Sequence, residues 1–168
     1  TRNYYLVLHR GSVDINKSIY FSLSAYERIK TSSVNVSISG TASNKGNSSI
    51  SMSGVNSSVI SVNLTNDTKI PNKAIVTRIS SSGTQSPSQG NVHHMIMPAS
   101  NGNWYTSTVS SASSGHYNID IDDGIPVKQK WSFKYNALAT AKSTMRNVKL
   151  TIEFQYDLHD TDYETYIR

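Results

Sequence analysis

Cysteine is absent from the 168-residue sequence. This absence excludes disulfide bonds, catalysis by a thiol and any zinc site that depends on cysteine ligands. It is compatible with a reducing compartment, and equally with an extracellular protein that is stable without covalent cross-links. The cysteine content therefore leaves the compartment open.

Charged residues and long apolar runs are also scarce. Only 16% of residues are charged, and no run approaches the roughly eighteen apolar residues of a transmembrane helix. Their place is taken by 29 Ser, 14 Thr and 15 Asn. Because the net charge is only +5 and ten Tyr, two Trp and three Phe are available for packing, we expect a folded chain. The length fits a single domain over residues 1–168, and the start at Thr1 suggests a processed or trimmed form.

Hydrophobic and polar residues alternate along most of the chain, as they do in strands with one buried face. The longest alternation covers residues 148–158, and another places Trp131, Phe133 and Tyr135 on one side. Roughly nine or ten such segments are separated by turn signals, which is typical of sandwiches. The predicted fold class is an antiparallel, all-β sandwich of the immunoglobulin-like or jelly-roll type.

The aromatic strands suggest a more detailed arrangement. Residues 131–135 and 148–158 are predicted to pair as a hairpin across residues 137–146. One sheet face is predicted to bury the side chains of Trp131, Phe133, Leu150, Ile152 and Phe154. Turn signals fill residues 80–90, and residues 136–145 have a short helical spacing.

Residues 31–66 differ from the rest of the chain. Their outward positions are almost entirely Ser, Thr and Asn, and Lys45 is the only charged residue among them. Edge strands usually carry charge or proline, because unpaired backbone groups invite another chain to pair. This segment has no proline and almost no charge, so it either lies inside a sheet or contacts another molecule.

No catalytic motif is present. The sequence contains neither the G-x-S-x-G turn of many hydrolases nor an S-x-x-K motif with its partner motifs. A catalytic triad needs a histidine held by a carboxylate and facing the nucleophile, and no local pattern indicates one. The histidines are His9, His93, His94, His116 and His159. We expect a protein that is not an enzyme and requires no cofactor.

Adjacent His93 and His94 resemble a metal-binding pair. Neighbouring residues of a strand point to opposite faces, so these two imidazoles cannot bind one ion from regular β structure. One of them is expected to lie half-buried beside Met95 and Met97.

Three carboxylates near residue 120 resemble part of a calcium loop. Asp120, Asp122 and Asp123 precede Gly124, but the glycine comes one residue late and the twelfth loop position is Gln129 rather than Glu. We keep these three aspartates as a candidate calcium site. The alternative is a turn that carries exposed carboxylates.

Six Asn-x-Ser/Thr acceptor sequences occur, all before residue 70, where composition alone predicts about four. In an exported protein of a glycosylating organism this part of the chain would carry sugar. The alternative is that these acceptor sequences arise by chance from the high content of Asn, Ser and Thr. The candidate glycosylation sites between residues 31 and 66 are Asn35, Asn47, Asn56, Asn63 and Asn66.

Two aromatic residues follow a glycine-containing turn. Trp104 and Tyr105 are candidate glycan contacts, because exposed aromatic rings stack on sugars and are common in binding loops. The alternative is that one of them begins a strand and packs inward.

Positive charge is concentrated in residues 126–156, which run into an acidic tail at 157–168. The basic residues are spaced rather than clustered and no recognition helix is evident, so we expect no nucleic-acid partner. An anionic polysaccharide, phospholipid headgroups or an acidic partner segment would suit this charge equally well.

These features favour a protein that works by surface contact. The leading hypothesis is an extracellular or cell-surface structural subunit of a filament, pilus-like fibre or coat, forming homo-oligomers or polymers. A strand donated to a neighbour's sheet adds a ladder of backbone hydrogen bonds. The N-terminal residues 1–10 are the candidate donor segment, through Tyr4, Tyr5, Leu6, Val7 and Leu8.

Two alternatives remain open at this point. One is a glycan-binding adhesin or carbohydrate-binding module that uses Trp104 and Tyr105. The other is a pore-forming toxin, in which residues 33–64 refold into a transmembrane barrel.

Overall fold

The structure is a computed structural model, and it confirms the predicted all-β sandwich. It describes residues 11–12, 14, 16–18, 20, 22, 27–48, 53–90, 92–107 and 116–158. In these segments the regular structure is almost entirely strand, arranged in two antiparallel sheets. No helix long and apolar enough to cross a membrane occurs among the described residues.

Ten strands make up the described part of the fold. They are β1 (Ile29–Ile38), β2 (Ala42–Asn44), β3 (Val55–Asn56), β4 (Ile60–Asn63), β5 (Ile75–Ser86), β6 (Val92–Pro98), β7 (Tyr105–Thr106), β8 (Tyr117–Ile119), β9 (Lys130–Ala137) and β10 (Ser143–Asp157). The first sheet has the order β1-β10-β5-β8, and β2 pairs with the start of β10. The second sheet has the order β3-β9-β6-β7, and β4 also pairs with β9.

Strand β10 is the centre of the first sheet and follows the predicted alternation. Val148, Leu150, Ile152 and Phe154 are buried, whereas the intervening residues point away from the core. The alternation begins after a β-bulge at Asn147, which has a φ of 53° and lies where the register with β5 shifts. Asn tolerates this left-handed backbone better than most residues do.

Strand β9 is the centre of the second sheet. Trp131, Phe133 and Tyr135 are buried against the first sheet. The Tyr135 hydroxyl lies 2.9 Å from the hydroxyl of Ser143 in β10, which joins the two sheets by a buried hydrogen bond. Such a bond satisfies two polar groups that would otherwise be costly to bury.

The predicted hairpin of the two aromatic strands is wrong. β9 and β10 belong to different sheets, because residues 138–142 carry the chain from the second sheet to the first. The five predicted core residues are all buried, but they face one another from two sheets instead of lying on one face. Alternation identifies the buried side of a strand and carries no information about the neighbouring strand.

Two predictions of local structure are also wrong, the helical spacing at residues 136–145 and the turns at residues 80–90. Residues 136–145 contain the end of β9 and the start of β10 instead of a helical turn. Strand β5 continues through most of residues 80–90, as far as Ser86. Its Ser-rich sequence resembles a loop, yet Ser81 and Gln85 are buried in the core and hydrogen-bonded there.

Candidate functional site

Strand β1 lies at the edge of the first sheet. Among the described strands it pairs with β10 alone, over all ten of its residues. Beyond Lys30 it carries no charge, and it contains no proline. Residues 31–38, the first part of the almost uncharged segment 31–66, therefore lie in a strand that is an edge among the described strands and has no charge or proline to discourage pairing.

The inner side of β1 is incompletely covered at its first half. Ser32 lies opposite Phe154 and is exposed, and Val34 lies opposite Ile152 and is half-buried. Further along, Val36 and Ile38 are buried. Among the described residues, the first half of β1 therefore has no neighbouring strand at its outer edge and is incompletely covered on its inner side.

The open edge ends where β2 begins. Ser58 donates its backbone N–H to the Ser43 carbonyl at 2.8 Å, and its hydroxyl accepts from the Ser43 N–H at 2.9 Å. These bonds cover β2 with the segment that leads into β4. On this side of the first sheet, the open edge among the described residues is therefore that of β1 and does not extend along β2.

The candidate donor residues Tyr4, Tyr5, Leu6, Val7 and Leu8 lie outside the described residues. Of the acidic tail, Asp157 and Leu158 are described. Arg28 makes an ion pair with Asp157 at 2.7 Å, and its carbonyl accepts a backbone hydrogen bond from Leu158 at 3.0 Å. These contacts fix the end of the β1–β10 pair, although the side chain of Arg28 is 62% exposed and the ion pair contributes little energy.

Trp104 is half-buried just before β7. The ammonium nitrogen of Lys134 lies 4.0 Å from the centroid of its ring, a cation–π contact. Partial burial lowers the pKa of Lys134. A lysine and a tryptophan that are distant in sequence thus form one surface cluster.

Tyr105 begins β7, and its ring packs at the margin of the core. Its hydroxyl donates to Asp122 at 2.6 Å and accepts from the Asn101 amide at 2.7 Å. The hydrogen bond to Asp122 raises the pKa of Tyr105. The structure thus separates the two predicted aromatic contacts: Tyr105 starts a strand and packs inward, while Trp104 contacts Lys134 at the surface.

The outer side of the second sheet surrounds Trp104. Strand β6 alternates between buried and half-buried residues, so His93, Met95 and Met97 point outward. Met95 is the register partner of both Lys134 and Thr106. We call this surface the Trp104 face and define it by Trp104, Met95, Met97, Lys130 and Lys134. Sequence reasoning missed the two lysines and the two methionines as site residues, although alternation along β9 could have placed Lys130 and Lys134 on one side.

His94 is a buried polar group in the core. It lies on the inner side of β6, as expected for a neighbour of outward-pointing His93. Its Nδ1 is 2.9 Å from the hydroxyl of Ser81 in β5, and its ring stacks on Tyr117 in β8 at 3.7 Å. Burial lowers the pKa of His94 to about 3, so the imidazole is neutral near pH 7.

The Ser81–His94 pair does not have the arrangement of a nucleophile and its base. Both side chains are almost completely buried, with relative exposures of 1% and 0%. A catalytic serine must reach substrate, and this one is enclosed between the two sheets. The pair is a polar cross-link of the core.

The candidate calcium residues Asp120, Asp122 and Asp123 are all exposed. Asp122 is engaged with Tyr105. Among the described residues, no three His, Asp or Glu side chains gather in a group that could hold a metal ion. The structure therefore does not bring these three carboxylates together as ligands.

A chelator is expected to leave the melting temperature of the protein nearly unchanged. Bound metal stabilises a folded state by mass action, so its removal would lower the melting temperature. Thermal unfolding with and without EDTA measures this effect. A fall in melting temperature of more than about 10 °C with EDTA would contradict this prediction and support metal binding by Asp120, Asp122 and Asp123.

The candidate glycosylation sites differ in accessibility. Asn35, Asn56, Asn63 and Asn66 are exposed. Asn47 is only 2% exposed, and its amide donates to the Leu138 carbonyl at 3.3 Å. Four of the five sites are therefore accessible in the folded chain.

No family model matches the sequence. The chain is 49% identical over 158 residues to the uncharacterized protein YbdN of Bacillus subtilis (strain 168). The match covers 94% of this chain and 55% of YbdN, so the chain spans about half the length of that curated relative.

Proposed function

We propose that the chain is a non-enzymatic structural subunit that associates with other copies by strand addition at the edge of β1. The observation that carries this proposal is the unprotected edge itself. Ten residues of β1 have a described neighbour on one side only, and beyond Lys30 they offer no charge or proline to discourage pairing.

The candidate donor segment matches this edge in chemistry. Tyr4, Leu6 and Leu8 alternate with other residues and would share one face of a strand. Paired with β1, such a strand would place apolar side chains beside Val34 and Ser32, where the inner side is open. Each backbone hydrogen bond formed would contribute roughly 0.5–1.5 kcal/mol net.

A strand donated to the next copy makes a head-to-tail contact, and such contacts build fibres when they do not close into a ring. We place this assembly outside the cell or on its surface, as a filament, pilus-like fibre or coat. The exposed Ser, Thr and Asn residues and the accessible acceptor sequences support that location. The toxin alternative has less support, because residues 33–64 are divided between the two sheets.

Deletion of residues 1–8 is expected to abolish assembly of the full chain. The deleted copies would keep an open β1 edge but would have no strand to donate. Negative-stain microscopy and sedimentation of wild-type and truncated protein at the same high concentration measure the effect. Equal assembly of the two proteins, or a wild-type chain that remains monomeric, would contradict the proposal.

A charged edge gives a second test that leaves the N-terminal segment intact. The double substitution Thr31→Lys/Ser33→Lys adds two cations to β1 and is expected to prevent assembly, because charge on an edge strand discourages pairing. The domain is expected to stay folded, because both positions are exposed and a lysine at position 33 would lie opposite the carboxylate of Glu153. Gln155→Lys is the matched control on β10, inside the same sheet, and should assemble normally. If the edge variant assembles as well as this control, pairing at β1 is not the mechanism.

A further inference from the structure

We propose that the Trp104 face binds an anionic polysaccharide chain. Trp104 would supply the stacking surface, and Lys130 and Lys134 would supply the cations. This function goes beyond strand addition, because the Trp104 face belongs to the second sheet and the β1 edge to the first. Either activity can be present without the other.

Charge complementarity is the first argument for an anionic ligand. The five strands of the second sheet contain Lys130 and Lys134 and no Asp or Glu. Glu153 and Asp157, the acidic residues of the described strands, both lie in the first sheet. The described strands of this sheet therefore contribute cations and no acidic side chain, which favours an anionic ligand.

The contact between Lys134 and Trp104 is the second argument. The ammonium group is partly buried beside the ring, and that burial lowers its pKa, so the charged form lacks full solvation. An anionic group offers this cation a stronger partner than the indole ring does. When the ammonium moves toward the anion, it uncovers aromatic surface on which a sugar ring can stack.

The polar residues beside the lysines are the third argument. Ser61 and Asn63 of β4 are exposed and lie opposite Ser132 and Lys130 of β9. Hydroxyl and amide groups hydrogen-bond to sugar hydroxyls, whereas Met95 and Met97 provide adaptable apolar contact on the other side of β9. A nucleic acid would share the charge and the stacking, but two spaced lysines on one sheet are few for a phosphate backbone.

The test compares two anionic polymers, one built of sugars and one without them. Polygalacturonate is expected to bind to the full chain and to change the fluorescence of Trp104, since Trp131 is completely buried and shielded from ligand. Lys130→Gln/Lys134→Gln is expected to weaken this binding about tenfold or more by calorimetry. The matched control Lys142→Gln/Lys149→Gln removes two exposed charges elsewhere and should bind within about twofold of wild type.

The contribution of stacking is tested separately. Trp104→Ala is expected to weaken polygalacturonate binding about tenfold and to leave binding of polyglutamate, which has no sugar ring, unchanged. Wild-type affinity of the Lys130→Gln/Lys134→Gln variant would overturn the proposal, as would equal binding of the two polymers by wild-type protein. Tighter binding of a single-stranded oligonucleotide than of polygalacturonate would also overturn it, in favour of a nucleic-acid surface.

These outcomes do not depend on assembly. The Thr31→Lys/Ser33→Lys variant, which blocks strand addition at β1, should bind polygalacturonate as wild type does, because its substitutions lie on the first sheet. Failure of one proposal is therefore distinguishable from failure of the other.

Discussion

Replacing Phe154 by Ala is expected to lower the free energy of unfolding by about 3–5 kcal/mol. The ring is 1% exposed and lies on the inner side of β10, the longest of the described strands. Removing it takes away apolar contacts and leaves a cavity between the two sheets, because a close-packed core relaxes only partly. Urea unfolding at constant pH, followed by circular dichroism, measures the change.

The neighbouring residue provides a matched control for this prediction. Gln155 lies on the same strand with its side chain exposed on the outer side of the sheet. Gln155→Ala is expected to change the free energy of unfolding by less than about 0.5 kcal/mol. Similar small effects of the two substitutions would mean that the inner side of β10 is assigned wrongly.

The sequence predicts β10 well because the signal there is local. From Val148 to Phe154 the buried positions are every second residue, which is a property of one strand alone. The partner of a strand depends on residues far away in the sequence. Thus the pattern identifies Trp131 and Leu150 as core residues and cannot reveal that they belong to opposite sheets.

The same distinction explains which parts of the candidate sites were predictable. The lack of charge in β1 is visible in the sequence, and only the sheet order shows that this strand lies at an edge. Trp104 was identified from its own neighbourhood. Its contact with Lys134 depends on pairing of β6 with both β7 and β9, which no short pattern encodes.

Buried polar contacts are the hardest features to predict. Ser81 and His94 come from a segment predicted as a turn and from a pair of histidines, and they meet because β5 and β6 face each other from two sheets. Burial and hydrogen bonding of such groups are decided by the whole fold. Nothing in the local sequence distinguishes His94 from a surface histidine except its apolar neighbours.

Acid is expected to destabilise the protein through His94. Its imidazole is fully buried, stacks on Tyr117, meets the edge of Phe133 and contacts Ser81. Among the described residues its Nε2 has no hydrogen-bond partner. A proton added at that nitrogen would create a charge without solvent or counter-ion, which is why burial lowers the pKa to about 3.

The direction of the pH dependence follows from the two protonation states. In the unfolded chain the imidazole titrates at its ordinary pKa of 6.5, whereas in the folded chain it stays neutral down to about pH 3. Between these values the unfolded state binds one proton more, so stability falls as the pH falls. The slope is about 1.4 kcal/mol per pH unit, which amounts to about 2 kcal/mol by pH 5 and about 3 kcal/mol by pH 4.

Comparison with a variant isolates this contribution from that of the carboxyl groups. His94→Gln removes the titrating group, so between pH 7 and pH 5 it should lose about 2 kcal/mol less stability than wild type. The absolute stability of the variant at pH 7 is expected to be lower, because the stacked ring is lost, but the comparison uses only the change with pH. His93→Gln keeps His94 and is expected to retain the acid loss of the wild-type protein. Parallel stability curves for wild type and His94→Gln, measured by urea unfolding across this range, would contradict the prediction, because they would show that the folded state protonates His94 as readily as the unfolded state does.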